Sequence, residues 1–87
     1  MATQTFKLKH GNMNHFVDFA TKKPYSLVFS NGSKDGNITW GGQTVPFVND
    51  PDPIKNAFTV TYNPDSQKSI VDHIAEAVTA YNKQSAT

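Results

Sequence analysis

The sequence predicts an α+β fold: a single antiparallel β-sheet of four to five strands, with one face covered by a C-terminal α-helix. Three patterns carry this expectation. Stretches such as "YSLVFS" (25–30) and "AFTVTY" (57–62) alternate apolar and polar residues, the period of a strand with one dry side. Ile70, Val71, Ile74, Ala77, Val78 and Tyr81 recur at helical spacing near the C-terminus. Asn31-Gly32, Asp35-Gly36 and Gly41-Gly42 punctuate the extended stretches, and such pairs tolerate the positive φ angles of tight turns.

Taken in order, "TFKLKH" (5–10) reads as a first strand, with Phe6 and Leu8 on one side and Thr5, Lys7 and Lys9 on the other. Gly11-Asn12 breaks it. In the next stretch Met13, Phe16, Val17 and Ala20 fit a short second helix near 13–22, with Asn12 or Asn14 as N-cap and Pro24 as the stop. His15, Val17 and Phe19 also alternate, so a strand is the alternative there. Residues 25–30 form the next strand. "WGGQTVPF" (40–47) poses a choice between a hairpin and a glycine-cleared ligand platform around the only Trp. A two-residue turn at Gly41-Gly42 would set Trp40 opposite Gln43, Thr39 opposite Thr44 and Ile38 opposite Val45. That match of apolar with apolar and Thr with Thr favours the hairpin. Pro46 has no amide donor, which assigns its amide side to a sheet edge or a bulge. Prolines 51 and 53 make 48–56 an exposed, stiff connection. Asn63, Pro64 and Asp65 suit a helix start, so the last helix should run over about 64–83, with 84–87 fraying.

Eighty-seven residues hold one small domain, 1–87, with a single core. The expected inward set is Phe6, Leu8, Tyr25, Leu27, Phe29, Ile38, Trp40, Val45, Phe47, Phe58, Val60 and Tyr62, beneath the helix stripe. With no cysteine, disulfides, thiolate metal sites and cysteine nucleophiles are all excluded. The N-terminal stretch lacks the apolar run of a signal peptide or membrane span, so a soluble, cytoplasmic protein is expected. Asn31-Gly32-Ser33 and Asn37-Ile38-Thr39 match the glycosylation pattern but are better taken as turn residues.

Motifs for chemistry are sparse. No phosphate-binding glycine loop and no nucleophile elbow occur. His10 and His15, with Asp18, lack the further ligands a zinc site needs. Asp50 and Asp52 begin like a calcium loop, but Ile54 stands at the next ligand position. His73 follows Asp72, yet neighbours on a helix project about 100° apart and form no dyad. No catalytic residue, metal or cofactor is assigned. Residues 1–34 carry five Lys against Asp18, while residues 35–87 carry three Lys against five Asp and Glu76, a split of +4 and −3. Lys7, Lys9, Lys22 and Lys23, with Lys34, could make a nucleic-acid patch. The complete absence of Arg weakens that alternative, since the guanidinium fork is what grips phosphate and guanine. By exclusion, the expectation is a non-enzymatic module that binds another protein or a second copy of itself. Its expected surface is the edge at Pro46 and Val48 and the loop bearing Asp50, Asp52 and Ile54.

Overall fold

The apolar stripe between 70 and 81 becomes the inner face of the longest helix, and every one of its six residues is buried. A computed structural model describes residues 1–52 and 54–84, so most of the expected fraying at 84–87 lies outside the described residues, as does Pro53. The elements are β1 (Ala2–Lys7), α1 (Met13–Ala20), β2 (Val28–Phe29), β3 (Gly36–Trp40), β4 (Gln43–Asn49), β5 (Ala57–Tyr62) and α2 (Lys68–Lys83). The strands form one antiparallel sheet in the order β1-β5-β4-β3-β2. The fold is α+β, with the C-terminal helix and one more short helix.

Register follows side-chain parity. Ile38 sits opposite Val45, Thr39 opposite Thr44 and Trp40 opposite Gln43, so "WGGQTVPF" is the expected hairpin. Gly41 and Gly42 supply the two positive φ angles, +61° and +79°, that such a turn requires. Phe6, Leu8, Leu27, Ile38, Val45, Phe47, Phe58 and Val60 are buried on one side of the sheet; Tyr25, Phe29, Trp40 and Tyr62 pack against them from the rim. That accounts for the whole inward set.

Residues 13–20 are helical. Asn12 caps α1 by accepting from the His15 amide, and His15 Nδ1 accepts in return from the Asn12 amide, a reciprocal cap with His in the place usually held by Glu or Gln. Phe16, fully buried, stacks on Phe58 of the sheet and meets Tyr81 of α2 edge-on, so both helices share the same sheet face.

Five local expectations need correction. The first strand runs over Ala2–Lys7 and not over 5–10, because beyond Lys7 the chain is bonded to α2, the Lys9 amide to Asn82 and the His10 ring to the Tyr81 carbonyl. The strand over 25–30 shrinks to Val28–Phe29, because Ser26 takes a left-handed φ of +53° and the chain before it is bonded to helices: the Tyr25 carbonyl accepts from His73 and the Leu27 amide donates to Ala20. Asn37 lies inside β3, not in a turn. Val48 and Asn49 belong to β4, so the irregular connection begins at Asp50. Finally, α2 starts at Lys68; Asn63 instead organises a separate turn, accepting from the Ser66 and Gln67 amides at its carbonyl and from the Asp65 amide at its side chain. That turn is tied to the β3–β4 hairpin through Gln67 Nε2 to the Thr44 carbonyl and Gln43 Nε2 to the Ser66 carbonyl.

Candidate interaction surface

With both helices on one face, the other face of the sheet is open. Alternation sends Thr3, Thr5 and Lys7 of β1, Thr59 and Thr61 of β5, Thr44, Pro46 and Val48 of β4, Asn37 and Thr39 of β3, and Val28 of β2 to that side. These side chains run in rows across the strands. Val28, Thr39 and Thr44 make one row; Val48, Thr59 and Thr5 make another. Hydroxyls pair along them, Thr39 with Thr44 at 2.9 Å and Thr5 with Thr59 at 2.8 Å. Val28 and Val48 remain 59% and 54% exposed, so the apolar content of this face is not absorbed by the core.

The two edges of the sheet differ. On one side β2 contributes only two residues, too short to template another strand. On the other, β1 is six residues long and its outer side is only partly capped. Asn82 of α2 does the capping: its Nδ2 donates to the Lys7 carbonyl at 2.9 Å and its Oδ1 accepts from the Lys9 amide at 3.0 Å, the two bonds a neighbouring strand would make. Leu8 faces the other way, with its amide bonded to the Asn56 carbonyl. Antiparallel residues alternate in which neighbour receives their backbone groups. Counting back from Lys7, Thr5 and Thr3 therefore send both N–H and C=O outward, and among the described residues nothing caps them.

What fixes β1 at its C-terminal end is a clasp between His10 and Tyr81. The rings stack with centroids 4.4 Å apart; His10 Nε2 donates to the Tyr81 carbonyl and the Tyr81 hydroxyl donates to the His10 carbonyl. Burial raises the Tyr81 pKa above the ordinary tyrosine value. A similar clasp holds the start of β2, where His73 donates Nε2–H to the Tyr25 carbonyl at 2.7 Å and stacks on Trp40 with centroids 3.9 Å apart. The lone Trp is thus committed to α2 and not presented as a platform.

The sequence-derived candidates are distributed as follows. Pro46 is not on an edge strand: β4 is interior, paired with β3 along its first half and with β5 from Phe47 onward. Its missing amide marks the place where the β4–β5 ladder stops, which is the physical content of the proline signal. Pro46 and Val48 both lie on the open face. Asp50 and Asp52 shape the following loop, Asp50 accepting from the Asp52 amide and Asp52 from the Ile54 amide. The loop is closed by the Asp50 amide on the Ala57 carbonyl and by Asn56, whose Nδ2 reaches the Leu8 and Gly11 carbonyls. Ile54 stands 88% exposed.

The lysines do not converge. Lys7 and Lys9 flank the part of β1 bonded to Asn82, whereas Lys22 and Lys23 precede Tyr25, which is bonded to His73. Those anchors are nine residues apart on α2, about 13 Å along its axis. Lys22 is also paired with Asp18 at 3.8 Å. Lys34 sits in the turn before β3, its amide bonded to Asn31. Among the described residues no three His, Asp or Glu side chains are grouped to hold a metal ion, and no helix is long and apolar enough to cross a membrane. A groove of about 440 Å³ beside α2 is lined by Tyr25, Ala75, Glu76, Thr79, Ala80 and Lys83.

The sequence singles out Pro46 for its missing amide donor and Val48 for its place in the proline-bearing connection 48–56, and it does not mark the β1 edge. Nothing local to residues 2–7 says which of their sides meets β5. Compared with known proteins, the chain matches no family model, and no curated protein or solved structure matches it.

Proposed function

We propose that this chain is a non-enzymatic protein-binding domain whose contact surface is the open sheet face together with the uncapped edge of β1. The observation that carries the reading is the outward run of backbone groups at Thr3 and Thr5, continuous through the Val48–Thr59–Thr5 row with a face that keeps two valines and a proline in water. An antiparallel sheet tolerates one wet face without any partner, so the face alone is ordinary. An edge left open at Thr3 and Thr5 is not, because natural sheets usually shorten, cover or bulge such edges.

Pro46 and Val48 supply apolar contact on this surface, and the loop of Asp50, Asp52 and Ile54 forms its rim. Affinity capture from the host extract, run side by side with wild type, Val48→Glu and Glu76→Lys, tests the reading. Val48→Glu places a charge on the open face, whereas Glu76→Lys changes the exposed side of α2. Capture lost with the first and kept with the second is the expected outcome. Equal capture by all three overturns it.

A further inference from the structure

We infer that β1 takes up an extended, acidic segment of another protein as a sixth strand of the sheet. This rests on the protein-binding reading above and adds the mode of binding and the chemistry of the partner. Backbone pairing is available because Thr3 and Thr5 each present an N–H and a C=O outward, and the Lys7 N–H points the same way. The acceptor length is set by the protein itself. Asn82 occupies the Lys7 carbonyl and the Lys9 amide, so an added strand has about five backbone groups to pair with and ends at the Asn82 side chain.

Charge selects the occupant. Lys7 ends this edge and Lys9 follows it, residues 1–17 contain no Asp or Glu, and β5 behind it contains no charge at all. The ion pairs among the described residues are Asp18–Lys22 and Lys68–Asp72, so neither edge lysine has a carboxylate partner among those residues. A second copy of β1 would set a second Lys7, with a second Lys9 just beyond it, in one ribbon with no carboxylate, and lysine on an edge is a known device against self-pairing. A strand with carboxylates at alternate positions reverses that sign: every second side chain falls on the open face, the side to which Lys7 projects.

The test uses the full chain and labelled eight-residue peptides read by fluorescence anisotropy: four Val-Glu repeats, four Val-Lys repeats, and the Val-Glu peptide N-methylated at alternate amides in each of the two phases. The expected result is saturable binding of the Val-Glu peptide, at least tenfold weaker or absent binding of the Val-Lys peptide, and loss of binding in one N-methyl phase only. Lys7→Glu with Lys9→Glu should weaken the Val-Glu peptide at least tenfold. Thr5→Pro removes an outward N–H without touching the β5 ladder, so it should abolish binding while the circular dichroism spectrum is kept; the N-methyl peptides carry the same test if that variant fails to fold. Equal binding of Val-Glu and Val-Lys peptides overturns the acidic selection. Binding indifferent to both N-methyl phases overturns strand addition, and a wild-type dimer by light scattering that Thr5→Pro converts to monomer overturns the acidic partner, since a second copy of the chain then takes the edge. If no peptide binds but Val48→Glu still releases a captured partner, this inference fails and the protein-binding reading stands; if neither Val48→Glu nor Thr5→Pro alters capture, both fail.

Discussion

Replacing Tyr81 by Phe isolates one hydroxyl in the clasp that fixes the end of β1. The Tyr81 ring is 3% exposed and packs against Phe16, Phe19 and His10, all of which Phe can still touch. What is lost is the 3.0 Å hydrogen bond to the His10 carbonyl. A net bond contributes about 0.5–1.5 kcal/mol, and an acceptor left in a part-buried site adds some of its desolvation cost, so Tyr81→Phe should lose about 1–2 kcal/mol at neutral pH. For a domain of this size each kcal/mol lowers Tm by about 4–8 °C. Burial raises the folded pKa of Tyr81, so the unfolded chain gives up this proton first. The stabilisation tied to the neutral hydroxyl is whole below the ordinary tyrosine pKa of about 10, and it is lost as pH rises through the higher folded value. Phe has no such proton. Urea unfolding followed by circular dichroism at pH 7.5 and in steps above pH 10 should therefore show the gap between wild type and variant narrowing with alkali. A gap that stays constant, or a variant as stable as wild type at pH 7.5, refutes the role given to the clasp.

Two further outcomes follow from the same contacts. Gly11 has φ +63°, and a Cβ there would run into the Tyr81 hydroxyl and come within 3.0 Å of His15 Nδ1, so Gly11→Ala should cost at least about 1–3 kcal/mol in a thermal melt; a melt within a degree of wild type would contradict it. His73→Ala removes the ring stacked on Trp40 and the donor to Tyr25, and Trp40 emission should shift to the red as its face meets water, whereas an unchanged spectrum would mean the stack is not populated.

Much of this fold can be read from local pattern, and the parts that cannot share one cause. The stripe from Ile70 to Tyr81 and the pairing of Ile38 with Val45 are visible because period and turn chemistry are properties of neighbouring residues. Leu27, Val28 and Phe29 keep their expected alternation, yet the strand is only two residues long, because Tyr25 is bonded to a histidine 48 positions away. The start of α2 misleads for a related reason. Asn63 and Pro64 have cap chemistry, but Gln67 is drawn to Thr44, 23 residues back, and a turn forms in place of the first helical turn. Pro46 signals a missing amide without saying which neighbour lacks it. The edge of β1 is wholly non-local, since it depends on β5 lying on one side and Asn82 on the other, 73 to 75 residues from the backbone groups it caps.

The placement of β1 also decides how binding would be felt. This strand has one ladder, to β5, and on its outer side only Asn82 and the His10–Tyr81 clasp at its C-terminal end. Residues 2–6 are thus held from a single side, and local opening of β1 should cost less than opening of β4 or β5, each paired on both sides. A sixth strand binds only the closed form, so it stabilises that form by about 2.7 kcal/mol at a ligand concentration one hundred times Kd. The gain falls first on the inward amides of Gln4 and Phe6, which belong to the β5 ladder and which the ligand never touches. An outward edge supported from one side only therefore turns partner capture into a tightening of the sheet behind it, and slowed hydrogen exchange at Gln4 and Phe6 separates strand addition from adhesion to the lysines alone.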